Sequence, residues 1–237
     1  KKGLLLALVH YLIIKRQAFV ISITKAMQYD LKKWFNIDSI FIGNFIDEEI
    51  LSRYRPENKI RKDDITTFVF LGSLTVRKNV LFLIESFESY NETHKNTELI
   101  IMGDGPLRSE IEEKIEASKA SISYKGFISN PYEVLSQTHV FVLLSSSEGM
   151  SRAALEALFL GNIGLLSDVE GNDELIVENS NGHLYNFTTD NIVAKFEACV
   201  ELVNRQENKT INHLPVHFQQ KIQVQRLIDL LEKDGSK

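Results

Sequence analysis

The feature that most constrains this chain is a regular alternation of short apolar runs with longer helical patterns. The runs are rich in β-branched and aromatic residues, as in "TTFVFLG" (66–72), "ELIIMG" (98–103) and "VFVLLS" (140–145). Between them lie amphipathic stretches such as "NVLFLIESFESY" (79–90) and "PLRSEIEEKIEA" (106–117). Continuous apolar strands separated by helices are typical of a parallel sheet that is covered on both faces. The pattern therefore predicts an α/β fold with a doubly wound parallel sheet.

The same alternation indicates how the chain divides into domains. Four further runs fit the strand pattern: "AFVISI" (18–23), "SIFIG" (39–43), "SISYKG" (121–126) and "IGLLS" (163–167). The segment "YRPENKIRKDD" (54–64) is polar and has neither a helical nor a strand period. We therefore predict the C-terminal part of one α/β domain over 1–53 and a linker over 54–64. The body of a second domain is predicted over 65–205, and a closing helical segment over 206–237. The closing helix itself is expected over 216–234, after Pro215.

Composition excludes several classes of protein. The 237 residues include 43% hydrophobic and 25% charged residues, the balance of a soluble domain with a real core. A net charge of −5 gives the chain as a whole no basic surface for nucleic acid. The single Cys199 allows neither an intrachain disulfide nor a cysteine metal cluster. This cysteine usage fits the reducing cytoplasm.

The N-terminal stretch "KKGLLLALVHYLIIKR" (1–16) allows three interpretations. Its apolar part is too short to span a bilayer. It has the charge layout of a secretory signal, but it lacks an initiating Met and a small-residue cleavage site. A basic-flanked helix that lies on a membrane surface is a second alternative. We favour a third, a buried helix.

Five of the predicted strands end in a small residue: Gly72, Gly103, Gly126, Ser145 and Ser167. The carboxyl ends of parallel strands meet at one edge of a sheet, where α/β folds bind ligands. Small residues there let a ligand approach the backbone, and helices that begin just beyond aim free N–H groups at it. Glycine after a strand is also ordinary turn chemistry. The series predicts a ligand site at this edge.

Several common chemistries have no motif in the sequence. There is no phosphate-binding loop of the G-x-x-x-x-G-K-[ST] type, and "GDGPLR" (103–108) lacks the third glycine of a dinucleotide fingerprint. His213 and His217 have Pro215 between them and no H-E-x-x-H pattern, so we interpret them as packing or surface residues. No two aspartates are separated by one residue, so the usual metal clamp of metal-dependent sugar-nucleotide enzymes is missing and we predict no metal. An anionic ligand would then need cations such as Arg77 and Lys78, which could equally form a solvated turn.

The stretch "LLSSSEGMSRAALEALFLGN" (143–162) carries two glutamates around a predicted strand–helix junction. Glu148 lies in the turn, and Ser151 is expected to be the N-cap of the helix that follows. Glu156 lies farther along that helix, among alanines. A buried carboxylate without a partner is costly, and a ligand with two hydroxyls would offset that cost. The alternative is a salt bridge between Glu156 and Arg152, four residues earlier.

Taken together, these motifs resemble the retaining glycosyltransferases of family four (group 1), which have the GT-B fold of two Rossmann-like domains. The family hallmark is two glutamates separated by seven residues, and "SSSEGMSRAALEALFLG" matches it. Upstream, "FVFLGSLTVRKNVLFLIESF", "LIIMGDGPLRSEIE" and "SYKGFISNPYEVLSQTHVFVLLSS" are similar to the family's strand–helix units, and "LLSDVEGNDELI" and "NGHLY" fit downstream. "VISITKAMQYDLKKWF" and "IFIGNFID" resemble the end of the N-terminal domain. The resemblance covers roughly residues 17–187.

The resemblance implies a Rossmann-like donor-binding domain and a role for each matching residue. Glu156 would bind the ribose of a nucleotide-sugar, and Glu148 would contact the donor sugar near its anomeric carbon. Lys78, with Arg77 and Ser73, would neutralise the diphosphate, so that Glu148 and Lys78 are the catalytic candidates. The remaining implied donor contacts are the amides of Gly149, Met150 and Ser151 and the backbone around Phe127 and Ser129, which would read the base.

The sequence departs from the family pattern in three ways. Ser73 stands where the family has arginine after the first strand, so diphosphate binding would depend more on Lys78, with Arg77 as a substitute. Ile163 and Gly43 stand where proline is usual. A full N-terminal domain, which holds the acceptor in this family, is not matched. The resemblance therefore implies a partial chain whose activity alone is in doubt.

Three hypotheses about function follow. The first is a metal-independent, cofactor-free glycosyltransferase that moves a sugar from a nucleotide-sugar, UDP-linked by prior expectation, to a glycan or lipid-linked acceptor with retention. By resemblance it would act in surface polysaccharide or lipopolysaccharide synthesis, in the cytoplasm or at the inner face of the cytoplasmic membrane, with peripheral membrane association left open. The second is another GT-B enzyme such as a sugar-nucleotide epimerase. The third is a non-catalytic sugar-nucleotide-binding remnant.

Overall fold

A computed structural model describes residues 20–59, 62–207 and 209–234. Its strands are β1 Ile21–Ser22, β2 Ile40–Phe41, β3 Thr66–Leu71, β4 Thr97–Met102, β5 Ile122–Tyr124, β6 Val140–Leu143, β7 Ile163–Ser167 and β8 Gly182–Tyr185. Its α-helices are α1 Lys25–Phe35, α2 Glu48–Ser52, α3 Val80–Asn91, α4 Arg108–Ala117, α5 Tyr132–Gln137, α6 Arg152–Phe159, α7 Ile192–Arg205 and α8 Gln220–Asp234. Short 3₁₀ helices cover Lys62–Asp64, Val76–Lys78 and Val216–Phe218. The predicted helix at 1–16 lies outside the described residues.

The chain divides into two units. The described residues up to Phe45 and those from Val216 onward form the first, and the described residues within Ile46–Pro215 form the second. The division lies before the linker that we predicted at 54–64, so α2 belongs to the second unit. The predicted linker is part of the second unit and packs within it: Lys59 Nζ donates to the carbonyl oxygen of Thr138 over 2.6 Å, and the ring of Tyr54 packs on Tyr132.

The first unit is built around two short parallel strands. Ile21 pairs with Ile40, and Ser22 pairs with Phe41, which confirms part of two predicted strand runs. The Oγ1 atom of Thr24 accepts from the backbone N–H of Met27 at 3.0 Å and so caps the start of α1. The described part of the chain holds no helix with the length and apolar character that crossing a bilayer needs.

The second unit contains a six-stranded sheet in the order β5-β4-β3-β6-β7-β8. Every pairing in it is parallel, which confirms the predicted α/β class with a doubly wound, Rossmann-like sheet. Five of its strands lie at the predicted runs. The sixth, β8, was missed because "GHLY" offers no apolar run. From β3 the chain builds outward to β5 on one side and then to β8 on the other, so the strand order reverses between β3 and β6.

The hydrophobic core of the second unit packs against the central strand. Phe68 of β3 is fully buried, and its ring meets those of Phe87, Tyr90 and Phe196 with centroids 5.3–5.9 Å apart. These rings come from α3 and α7, so two helices are fixed against one face of the sheet. The helical stretches at 79–90 and 106–117 are confirmed as α3 and α4, the latter beginning at Arg108 rather than Pro106.

Candidate active site

The carboxyl ends of β3, β4 and β5 are neighbours in the sheet, and glycines let the segments that follow these strands approach closely. The N–H of Gly72 donates to the carbonyl oxygen of Met102 at 3.1 Å, and that of Gly103 to Gly126 at 2.8 Å. Gly103 has a φ of 140°, and a Cβ there would lie 1.8 Å from the carbonyl oxygen of Gly72. Glycine at position 103 is therefore required by the packing of the strand ends, whatever binds at this edge.

Two turns meet where the strand order reverses. One follows β3 and includes the 3₁₀ turn Val76–Lys78, and the other follows β6. The N–H of Ser146 donates to the carbonyl oxygen of Arg77 at 2.8 Å. The side-chain Nδ2 of Asn79 donates to the carbonyl oxygen of Leu144 at 2.9 Å. The Arg77 guanidinium donates to the carbonyl oxygen of Ser147 at 2.6 Å. Main-chain and side-chain bonds thus fix two segments that lie about seventy residues apart in sequence.

Glu148 occupies this junction with two cations. Its Oε1 lies 2.5 Å from Lys78 Nζ and 3.1 Å from Arg77 Nη1. The Glu148 side chain is 7% exposed and that of Lys78 11%, whereas Arg77 is half-exposed. Burial by itself raises the pKa of Glu148, but the bond and charge of Lys78 and the charge of Arg77 outweigh it, so the pKa lies below the usual value. Glu148 is therefore ionised at neutral pH.

The helix that follows this turn begins as predicted. Ser151 is the N-cap of α6, and its Oγ accepts from the N–H of Ala154 at 3.2 Å. Met150 and Ser151 are buried, and Gly149 is exposed. Within the described residues, the N–H groups of Gly149 and Ser151 have no protein acceptor. Free N–H groups at the positive end of a helix dipole suit an anion.

The turn that carries Glu148 is held from its other side by the loop after β7. Gly171 has a φ of 85°, and a Cβ there would lie 1.3 Å from the carbonyl oxygen of Gly149. Only glycine therefore allows the two backbones to approach so closely. The N–H of Gly171 donates to Asp173 Oδ1 at 3.0 Å, which shapes the loop.

Glu156 lies inside α6, and its side chain is 11% exposed. Arg152 Nη2 is 3.7 Å from Oε1, so the alternative salt bridge is present, although the Arg152 side chain is 67% exposed. The hydroxyl of Tyr132 donates to the same Oε1 over a long 3.4 Å. Burial raises the pKa of Glu156, and Arg152 and Tyr132 offset this only in part, so the net pKa lies above the usual value. The protein leaves this carboxylate poorly satisfied.

The remaining predicted contacts lie on exposed loops at the same edge. Ser73 follows Gly72 at the end of β3 and is exposed. Phe127, 76% exposed, and Ser129 lie between β5 and α5. The structure thus joins Arg77, Lys78 and Glu148 directly, with Gly149, Met150 and Ser151 in the same turn as Glu148. It places Ser73, Phe127 and Ser129 on neighbouring loops.

Sequence reasoning missed two residues of this region. Asn79 has a left-handed backbone, with a φ of 50°, and ties the two turns together. Tyr132 contacts Glu156 from α5. The αL preference of asparagine just before a helical pattern could have indicated the first. Nothing local to "NPYEVL" indicates the second, because the contact depends on how α5 packs beside α6.

Comparisons with known proteins support one family. A family model described as glycosyl transferases group 1 matches residues 52–212. An uncharacterized glycosyltransferase of Methanocaldococcus jannaschii is 34% identical over 123 residues, which cover 51% of this chain and 29% of the relative. An N-acetylgalactosaminyltransferase of Campylobacter jejuni, named for a diphospho-undecaprenol-linked acceptor, is 27% identical over 142 residues, covering 59% of this chain and 39% of the relative.

Solved structures show the same fold. The pneumococcal O-GlcNAc transferase GtfA, solved with UDP and GlcNAc, aligns with a TM-score of 0.74 and 20% identity over 95% of this chain and 47% of its own. HepE of Anabaena, solved with UDP and glucose, aligns with a TM-score of 0.76 and 16% identity over 96% of this chain and 66% of its own. The chain thus spans about a third of these curated relatives and about half to two thirds of these structures. The match over 52–212 shows that the chain belongs to the glycosyl transferases group 1 family.

Proposed function

We propose that this chain binds the nucleotide-sugar donor of a retaining glycosyltransferase. The observation that carries the proposal is the Lys78–Glu148 ion pair at the point where the strand order reverses, beside the open N-terminus of α6. In open α/β sheets this is where ligands bind. The structures of GtfA and HepE were each solved with UDP and a sugar, which supports a uridine nucleotide as the first candidate.

The diphosphate would bind to the cations and to the helix N-terminus. Lys78 and Arg77 together carry two positive charges against the single negative charge of Glu148, so the junction keeps a net positive charge. The N–H groups of Gly149 and Ser151 add donors at the positive end of α6, with Met150 between them. Ser73, in the loop after β3, would contribute with Lys78 and Arg77. As the bond to the sugar breaks, this fixed positive field would stabilise the leaving diphosphate. Because no two aspartates in the sequence are separated by one residue, we propose that these groups act in place of a metal.

The donor sugar would lie against Glu148. An ionised carboxylate is an acceptor for sugar hydroxyls, and its negative charge next to the anomeric carbon would favour the positive charge that develops there. When the diphosphate engages Lys78 and Arg77, their hold on Glu148 weakens, which frees its oxygens for the sugar. Lys78 and Glu148 are therefore the residues to which we assign catalysis.

The nucleoside would bind along α6 and the loop after β5. Glu156 would accept hydrogen bonds from the ribose hydroxyls, which compensates the burial that raises its pKa. The backbone around Phe127 and Ser129 would read the base. The sugar would pass with retention to a glycan or lipid-linked acceptor in surface polysaccharide synthesis, at the cytoplasmic face of the membrane. The acceptor in the name of the Campylobacter relative, a diphospho-undecaprenol-linked glycan, supports this acceptor class.

Binding of nucleoside diphosphates tests the proposal. Isothermal titration calorimetry would compare UDP, GDP and ADP on the wild-type chain, on Glu156→Ala and on Glu113→Ala, an exposed glutamate of α4 that serves as control. Hydrogen bonds to a charged group contribute about 1.5–3 kcal/mol, so Glu156→Ala should weaken binding by about ten- to a hundredfold. Glu113→Ala should bind as the wild type does.

Two results would count against the proposal. The chain could bind none of the three diphosphates, or Glu156→Ala could bind as tightly as Glu113→Ala. Transfer itself is measured on the whole encoded protein with radiolabelled nucleotide-sugars. Epimerised donor recovered without acceptor would contradict a transferase and support the alternative enzyme class.

A further inference from the structure

Tyr132 and Arg152 contact the same oxygen of Glu156. The Tyr132 hydroxyl lies 3.4 Å from Oε1, and Arg152 Nη2 lies 3.7 Å from it. Among the described residues, none donates a hydrogen bond to Oε2. The carboxylate therefore has one oxygen that the protein holds and one that is available to a ligand.

The ring of Tyr132 is itself held in place. It packs against the ring of Tyr54, with centroids 5.6 Å apart and planes at 55°. The hydroxyl of Tyr54 in turn accepts from Asn130 Nδ2 at 2.9 Å. Burial and the charge of Glu156 raise the pKa of Tyr132, so its hydroxyl stays protonated and acts as a donor at neutral pH. A fixed ring with a protonated hydroxyl can orient the carboxylate.

We propose that Tyr132 is a positioning residue for Glu156: by holding Oε1, it turns Oε2 toward both hydroxyls of a bound ribose, so that selection of ribonucleotides over 2′-deoxyribonucleotides depends on Tyr132. This inference rests on the proposed donor-binding function. The 3.4 Å contact shortens when the ligand draws the carboxylate into position, because such bonds are often long in the free protein. Arg152 is the weaker of the two partners since it is mostly exposed.

The test compares two tyrosine-to-phenylalanine variants. Tyr132→Phe keeps the ring and removes the hydroxyl next to Glu156. Tyr54→Phe keeps the packed pair of rings and removes a hydroxyl that does not contact Glu156, so it is the matched control. Calorimetry measures UDP and 2′-deoxy-UDP on each variant, with GDP and 2′-deoxy-GDP in parallel, because the ribose is the same in both. Thermal melting checks that both variants fold.

Tyr132→Phe should weaken UDP binding by about three- to tenfold, the effect of one hydrogen bond. 2′-Deoxy-UDP should lose less affinity, because it makes only one of the two hydrogen bonds to Glu156. The affinity for UDP relative to 2′-deoxy-UDP should therefore fall. The same hydroxyl lowers the pKa of Glu156, so the acid-side loss of UDP binding should also move to higher pH in this variant. Tyr54→Phe should leave both the ratio and this midpoint unchanged.

Three outcomes would overturn the inference. An unchanged ratio in Tyr132→Phe, together with tight UDP binding that needs Glu156, would contradict the role of Tyr132 and leave the proposed function standing. An equal fall in Tyr54→Phe would show that ring packing rather than the hydroxyl is responsible. If the wild-type chain bound none of the ribonucleotides, the proposed function would be contradicted, and this inference with it.

Discussion

Glu148 and Glu156 belong to the same strand–helix junction, but their surroundings differ in kind. Glu148 is almost fully buried against two cations, and its pKa lies below the usual value. Glu156 is equally buried but has one long hydrogen bond and one exposed arginine, and its pKa lies above the usual value. The ligand-free protein is thus stabilised by the first carboxylate and bears a cost at the second. Such a cost is expected at a binding position, because the ligand supplies the missing partners.

Removal of Lys78 should have the largest effect on this contrast. Lys78→Met leaves the half-exposed Arg77 as the cation next to Glu148, so the free energy of unfolding should fall by about 2 kcal/mol. Urea denaturation measures this free energy of unfolding. Lys119→Met, at an exposed lysine after α4, is the control and should change stability by less than about 0.5 kcal/mol. Equal stability of the two variants would mean that the ion pair contributes nothing to the fold.

Neutral replacements of the two glutamates should act in opposite directions. Glu148→Gln breaks two ion pairs and should cost about 1–2 kcal/mol of unfolding free energy. Glu156→Gln relieves an unfavourable buried charge and should stabilise the free protein by about 0.5–1 kcal/mol, while it weakens UDP binding. Urea denaturation at neutral pH gives both values. Changes of the same sign would remove the distinction between the two carboxylates.

The smallest effect is the pH dependence of the same two variants. The folded-state pKa of Glu148 is depressed below 4.5, so the advantage of wild type over Glu148→Gln is present above pH 4.5 and is lost as the pH falls below it. The folded-state pKa of Glu156 is raised above 4.5, so the disadvantage of wild type relative to Glu156→Gln grows as the pH rises above that value. Between pH 3 and pH 7, the difference in unfolding free energy between wild type and each variant should therefore change with opposite sign for the two glutamates. Parallel slopes would contradict the assigned surroundings.

Much of the fold could be predicted because its signals are local. Apolar runs such as "TTFVFLG" and "VFVLLS" fixed the strands of the sheet interior, where both faces are buried. The edge strand β8 could not be predicted because Gly182 and His183 interrupt any apolar pattern. The polarity of the segment at 54–64 predicts a linker, but Lys59 in it is buried. Its amine can be buried because it donates hydrogen bonds to two backbone carbonyl oxygens. Contacts of this kind leave no trace in composition.

The sequence by itself determined the α/β class, the strand–helix junction with its two glutamates, and the Ser151 cap, because each depends on neighbours within a few positions. Only the tertiary structure decided that Lys78 neutralises Glu148 while Glu156 stays short of partners. Strand order sets which turns meet, and the packing of α5 beside α6 sets which hydroxyl reaches the second carboxylate. The charge state and the availability of a buried carboxylate depend on those distant neighbours, since desolvation and ion pairing act through space rather than along the chain.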